Sequence, residues 1–250
     1  AADGTARDLR PHNPWLVTVG LFLIYTGFWG FYAACNVPII DVQSGDGTFL
    51  SATNIYLQPT TLSAITVNFL MSLSGGMMTG YWLSKGNGFW TYSGGLAGII
   101  AASAGNDLYH PIQAMIIAGL GVIFMYKVHY YVERRFKIDD AVGAVAVHGY
   151  AGWFGVVVAG FVLWGYPSSP NPDYAAITPW GQFIGAMIMF WGLGFIPAYI
   201  LGTICKNAGI LRVPQEIELA GLDVGEIQAH YGLGDEVRAA EEEIARSLRS

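Results

Sequence analysis

The chain has 250 residues, of which 53% are hydrophobic and only 12% are charged. Soluble domains carry about 25% charged residues, so this composition excludes an ordinary soluble protein and indicates a protein of the lipid bilayer. The formal net charge is −6, and residues 213–250, with nine acidic and three basic side chains, account for all of it. The apolar part is therefore close to neutral, and nothing in its charge favours nucleic acid as a partner.

Apolar segments of membrane-spanning length recur along residues 14–206. They predict an all-α integral membrane protein with six transmembrane helices, preceded by a cytoplasmic lead-in at 1–13 and followed by a cytoplasmic acidic tail at 207–250 that ends in a helix. Thr178 is the expected N-cap of the last transmembrane helix, with a proline in its first turn. The expected helices run from about Trp15 to Cys35, Leu62 to Leu83, Phe89 to Ala104, Pro111 to Tyr131, Asp140 to Trp164 and Pro179 to Cys205.

The basic residues alternate along the chain in a way that predicts its orientation. Lys or Arg precedes the first expected helix and follows the second, fourth and sixth, whereas residues 41–61, 105–110 and 166–177 contain neither. By the positive-inside rule, all twelve basic residues and both termini lie on the cytoplasmic side. We therefore expect a multi-pass protein of the cell membrane with a cytoplasmic C-terminus.

One apolar run carries the most informative side chains. Asp139 and Asp140 open this run, and His148 follows eight residues after Asp140. If the helix starts at Asp140, a rise of ~1.5 Å per residue places the imidazole about 12 Å further on, near the middle of a layer about 30 Å thick. Ala144 and Gly152 leave the same helix face almost without side-chain volume. This pattern favours a narrow polar path or a close helix contact, and a core histidine bonded to a neighbouring carbonyl is the alternative.

Other polar residues give no catalytic pattern. No Ser-His-Asp, Cys-His or metal-ligand spacing occurs, so we expect neither an enzyme nor a cofactor, and Cys35 and Cys205 are interpreted as small core residues without a disulfide. A membrane haem or quinone oxidoreductase subunit is an alternative of a different class. Haem clamps need histidines at matching depth, whereas His129 lies near one end of its expected helix and His148 near the middle of the next.

Several motifs together resemble the ammonium transporter (Amt/MEP/Rh) family, over almost the whole chain. The run through Asp139, Asp140, His148 and Gly152 resembles the family's helix ten, whose histidine is the second of the twin pore histidines. Three further stretches are similar to the family's helix six, its helix eight and its cytoplasmic C-terminal segment; they are Phe28-Trp29-Gly30-Phe31, Ser93-Gly94-Gly95-Leu96-Ala97-Gly98, and Arg212-Val213-Pro214 with Gly221-Leu222-Asp223-Val224.

The resemblance implies transport of ammonium, as ammonia plus a proton, through a hydrophobic pore with a histidine relay. A neutral imidazole can accept or donate a proton, which suits His148 for this role. Family pores recruit the cation at an outer aromatic vestibule, where Phe31 would lie. The resemblance also implies a homotrimer and a PII-type cytoplasmic regulator. The implied site residues have three roles. The substrate path contains His148, Phe31, Tyr32 and Cys35. Structural and capping residues of the pore helix are Asp139, Asp140 and Gly152, and a regulatory tail contains Gly221, Leu222 and Asp223.

The sequence also departs from the family pattern. It resembles only helices six to eleven of about eleven, so the first twin histidine and much of the outer site would precede residue 1. Tyr32 stands where the family usually has asparagine, and Cys35 where serine is common. We therefore expect an N-terminal half, on the same polypeptide or on a partner chain, to complete the pore. The main alternative is a non-conducting sensor or scaffold subunit of the same family.

Overall fold

The computed structural model describes residues 13–36, 62–166 and 175–213. Residues 214–250 of the acidic tail, which include the expected regulatory residues Gly221, Leu222 and Asp223, lie outside the described residues, as does the side chain of Cys35. The described part is built from helices. These are α1 (Pro14–Asn36), α2 (Leu62–Ser84), α3 (Gly88–Ala102), a 3₁₀ turn (Ser103–Gly105), α4 (Pro111–Phe136), a π-helical segment (Val145–Tyr150) leading into α5 (Ala151–Val162), α6 (Pro179–Met187), a second π-helical segment (Ile188–Phe195) and α7 (Ile196–Asn207).

The expected all-α membrane architecture is confirmed. Five described helical stretches are long and apolar enough to cross a membrane: Pro14–Ala34, Leu62–Ser84, Pro111–Phe136, Val145–Val162 and Pro179–Asn207. The sixth expected helix corresponds to α3, which has 15 residues, fewer than the roughly 20 that a bilayer requires. Whether α3 crosses the bilayer as a sixth transmembrane helix stays a prediction.

Helices α2, α3 and α4 pack against one another and form the core of the first compact unit, residues 1–190. Glycines permit the closest approach. A Cβ added to Gly76 of α2 would lie 2.3 Å from the Gly94 carbonyl oxygen and 2.9 Å from the Gly98 Cα. Gly94 and Gly98 thus form a small-residue pair that meets a neighbouring helix, as such pairs do in membrane bundles. Gly181 and Gly185 have the same spacing, but a Cβ at Gly185 would meet no described atom within 4 Å.

Replacing Gly76 by alanine should destabilise this core. The added methyl group would overlap backbone atoms of α3, which cannot move away without separating the helices, and overpacking of this kind costs about 1–3 kcal/mol. We expect Gly76→Ala to lower the melting temperature in detergent. Gly27→Ala on α1 is the matched control, because a Cβ there meets nothing within 4 Å. Equal melting temperatures for the two variants would contradict the close α2–α3 contact.

Two tyrosine hydroxyl groups attach α1 to α3. The Tyr25 hydroxyl donates to the Tyr92 carbonyl, and the Tyr32 hydroxyl donates to the Ile99 carbonyl at 3.0 Å and also contacts the Ser103 hydroxyl. Both tyrosines are buried. Buried tyrosines need a partner for the O–H group, so these hydrogen bonds fix where α1 lies on α3.

The last apolar helical stretch begins at the residue predicted from the sequence, Pro179. The Thr178 side chain accepts a hydrogen bond from the Gly181 N–H at 3.1 Å, which confirms it as the N-cap, and Pro179 occupies the first turn. In the second compact unit, residues 191–250, Pro197 follows the π-helical segment. Proline supplies no N–H to the carbonyl four residues earlier and its ring crowds that carbonyl. A widened turn before Pro197 relieves this conflict.

Candidate functional site

A tight turn precedes the helix that carries His148. The Gly143 N–H donates to the Asp140 carbonyl at 2.9 Å, and Gly143 has a φ of +66°, which favours glycine. The helix follows this turn, so the expectation that it begins at Asp140 is wrong. The cause is Gly143, whose left-handed backbone cannot continue a right-handed helix.

Asp140 caps the start of that helix from outside it. One carboxylate oxygen accepts from the Val145 N–H at 3.3 Å, and the other accepts from the Ala146 N–H at 3.0 Å. The first N–H groups of a helix have no partner within it, and a carboxylate there also faces the positive end of the helix dipole. Asp139 is exposed beside it.

His148 lies in the π-helical segment Val145–Tyr150, and its side chain is exposed. The apolar span starts at Val145, three residues before His148, so the imidazole lies about 4–5 Å into the span. A span starting at Asp140 would have placed it about 12 Å in. The neighbouring side chains Val145 and Val142 are exposed as well, at 50% and 69%. His148 is therefore an exposed polar group beside exposed apolar side chains.

Small residues further along the His148 helix hold it against α3. A Cβ on Gly155 would lie 2.3 Å from the Ala101 carbonyl oxygen. Gly152 is half-buried, with Ile100 at 3.5 Å from the position of an added Cβ. The glycines therefore serve helix packing, while the His148 side chain, one to two turns earlier, is exposed.

His129 of α4 reaches the same turn, which the sequence pattern did not reveal. Its Nδ1 atom lies 3.6 Å from the Asp140 Oδ2 atom, and the two side chains are only 6% and 14% exposed. The indole of Trp90 contacts the imidazole edge to face, with ring centroids 4.9 Å apart. Eleven residues separate His129 from Asp140, so only the reversal of the chain after α4 brings them together.

The residues expected on the substrate path in α1 differ in their surroundings. Phe31 is 56% exposed and makes edge contacts with its helical neighbours Phe28 and Tyr32. Tyr32 is 3% exposed, hydrogen-bonded to α3 and packed against Phe69 of α2. Tyr32 thus lies in the core of the helix bundle, because its ring is long enough to reach α3, and its place on the substrate path stays a prediction. Helix α1 packs on α2 and α3, whereas the His148 segment packs on α3, α4 and α5.

The loop between α3 and α4 contains a half-buried carboxyl group, Asp107. Burial raises its pKa above the usual value of 3.8, although the N–H groups of Asp107 and Leu108 act in the opposite direction. Nearby, the Asn68 side chain of α2 donates to the carbonyls of Asn106 and Tyr109 at 2.8 and 2.7 Å, which ties the loop to the bundle. The pKa of Tyr109 is also raised, mainly by burial and in addition by the negative charge of Asp107.

Asp107 should make the stability of the fold depend on pH. Because its folded-state pKa is raised, the folded chain binds the proton more tightly than the unfolded chain. The free energy of unfolding therefore falls as the pH rises from about 4 through the folded-state pKa, and the loss persists above it. We expect Asp107→Asn to remove this slope and to melt at a higher temperature than the wild type at neutral pH. Glu133→Gln controls for loss of a carboxylate elsewhere, and equal slopes in wild type and Asp107→Asn would contradict the prediction.

Metal binding finds no support among the described residues, where no three His, Cys, Asp or Glu side chains are grouped to hold an ion. The geometry is that of an apolar helix bundle in which the exposed imidazole of His148 follows a capped turn. A sequence profile of the Ammonium Transporter Family matches residues 1–231. The chain belongs to the Ammonium Transporter Family.

Curated members of this family are similar over most of the chain. Ammonium transporter Amt1 of Methanocaldococcus jannaschii is 29% identical over 236 residues, which cover 90% of this chain and 52% of that protein. Ammonium transporter Amt2 of the same organism is 30% identical over 90% of this chain and 48% of that protein. Ammonium transporter Amt2 of Archaeoglobus fulgidus is 27% identical over 90% of this chain and 47% of that protein. The chain thus spans about half the length of the curated relatives it matches.

Proposed function

We propose that this chain forms one half of an ammonium-conducting pore, in which His148 takes part in passing ammonia and a proton. The observation that carries the proposal is the exposed imidazole of His148 on an apolar helix face, in a chain whose relatives are named ammonium transporters. An ionisable side chain within a membrane span faces a cavity, a partner helix or a water-filled path, because lipid cannot solvate it.

The proposed chemistry follows from the cost of desolvating ammonium. Moving the cation into an apolar pore would forfeit its hydration, so transfer as neutral ammonia and a separate proton avoids most of that penalty. An imidazole in the path can accept a proton on one ring nitrogen and release one from the other. His148 is the only histidine within the span Val145–Val162.

The other expected path residues divide into two roles in this proposal. Phe31, exposed on α1, would offer a ring face for cation–π attraction at the outer side. Tyr32 acts indirectly, by holding α1 against α3 through its hydrogen bond to Ile99. Cys35 near the end of α1 remains a proposed path residue.

A complete assembly requires further protein. Because the exposed side of the His148 helix is apolar but carries a polar group, we propose that an N-terminal half, from the same polypeptide or a partner chain, covers it. A homotrimer of such units and binding of a PII-type regulator to the cytoplasmic tail, including Gly221, Leu222 and Asp223, complete the proposal.

Ammonium flux into proteoliposomes tests the proposed function. The complete assembly is reconstituted, an inward ammonium gradient is applied, and internal pH and current are recorded. We expect a current that grows with ammonium and is absent with potassium at equal concentration. Tight ammonium binding without any flux would instead identify a sensor subunit and contradict conduction.

The proposed orientation has its own test. All Lys and Arg residues fall on one side by alternation, which places the segment 166–177 outside and both termini in the cytoplasm. We expect a cysteine introduced at Tyr166 to react with an impermeant thiol reagent added outside intact cells, and one introduced at Arg212 to react only after permeabilisation. The reverse pattern would overturn the orientation.

A further inference from the structure

We propose that His129 is a positioning residue for His148: its imidazole holds the Asp140 carboxylate that caps the helix carrying His148. Nδ1 of His129 and Oδ2 of Asp140 lie 3.6 Å apart, within ion-pair range and beyond a direct hydrogen bond. The functional meaning of this pair rests on the proposed role of His148, but the geometry does not.

The Asp140 carboxylate needs the support that His129 gives. The side chain is 14% exposed, and the two backbone N–H groups of Val145 and Ala146 are its hydrogen-bond donors. A mostly buried carboxylate is costly unless an opposite charge or further donors face it. His129 supplies that facing group from a different helix, α4, and so connects the start of the His148 helix to the bundle.

Aromatic packing fixes the direction of the imidazole. Ring contacts with Trp90 at 4.9 Å and Tyr130 at 5.0 Å enclose it, and the Trp90 indole N–H donates to the Tyr130 hydroxyl at 3.1 Å. The turn before the helix also touches Trp90, since a Cβ on Gly143 would meet the indole ring at 3.5 Å. The imidazole therefore has little freedom to turn away from Asp140.

The position of the Asp140 cap affects His148 because only a short helical segment separates them. His148 lies two residues after Ala146, whose N–H is held by Asp140, and it belongs to the same π-helical segment. A shift of the cap would rotate or unwind this first turn and move the exposed imidazole with it. Removing a capping side chain destabilises a helix start enough to let its first turn fray.

Nuclear magnetic resonance of the intact protein in lipid nanodiscs, labelled with ¹⁵N-histidine, tests the proposal. The His148 resonances are assigned by their loss in His148→Ala and then followed in His129→Phe, Asp140→Asn and the double variant. We expect both single variants to move the His148 signals by more than their linewidth, and the double variant to match Asp140→Asn. His129→Gln, which keeps an N–H donor, should restore signals close to the wild type.

Several outcomes would overturn the positioning role. Unchanged His148 signals in His129→Phe would reduce His129 to a packing residue, and additive shifts in the double variant would show that the two side chains act separately. Tyr131→Phe, an exposed position on the same helix, is the control and should leave the signals unmoved. If His129→Phe does not fold, His129→Asn, whose shorter side chain cannot reach Asp140, replaces it under the same criteria.

Transport measured on the same variants separates this inference from the proposed function. Moved His148 signals with unchanged ammonium current would keep the positioning role and count against the relay. Unmoved signals in His129→Phe, together with loss of current in His148→Ala, would keep the relay and overturn the positioning role.

Discussion

His148→Ala should abolish the ammonium current of the complete assembly or change its selectivity. Alanine has no group that can accept or release a proton, so the proposed relay would lose a member, while the helix itself should persist because alanine favours helices. The side chain is exposed in this chain, so its removal leaves no cavity among the described residues. The measurement is the current in proteoliposomes under an ammonium gradient, with sodium and potassium gradients for comparison.

The matched control for His148→Ala is Val145→Ala. Val145 lies in the same π-helical segment, is also exposed, and carries no ionisable group. We expect a near-normal current from this variant, which would show that the loss in His148→Ala comes from the imidazole and not from a disturbed helix. Wild-type current and selectivity in His148→Ala would make His148 a packing residue.

The 250-residue chain should not conduct ammonium without the half that covers His148. The exposed side of its helix combines an imidazole with apolar side chains such as Val145, and a lone imidazole facing lipid costs free energy that a partner surface must offset. Pores of inverted-repeat transporters form between two halves, and this chain spans about half of its relatives. We expect no current above background from the reconstituted chain alone, a change of at least an order of magnitude from the complete assembly.

Reconstitution with and without a partner chain supplying the first half measures this difference. The amount of inserted protein is matched, and insertion is verified by protease protection of the segment 166–177. The His148→Ala chain combined with the same partner serves as the non-conducting reference. Ammonium currents from the chain alone that equal those of the combined sample would refute the dependence on a partner.

Several features follow from the sequence because they depend on local composition. Apolar runs of about 20 residues predict spanning helices, and five of the described helices have the required length and hydropathy. Thr178 was predictable as an N-cap because its side chain acts on residues three positions away. The stretch around His148 and three further stretches together resemble the family, and the match over residues 1–231 agrees with that resemblance.

Only the tertiary structure decided which polar residues meet and where the His148 helix starts. Asp140 and His129 lie in different segments, and their contact depends on the path of the chain between α4 and α5, which no local pattern encodes. The helix starts near Val145 because Gly143, which lies beside Trp90, adopts a positive φ. A residue with that backbone conformation forms a turn and cannot be part of the helix. The burial of Tyr32 could not be predicted, because the reach of a tyrosine hydroxyl to α3 is a property of helix spacing and not of sequence.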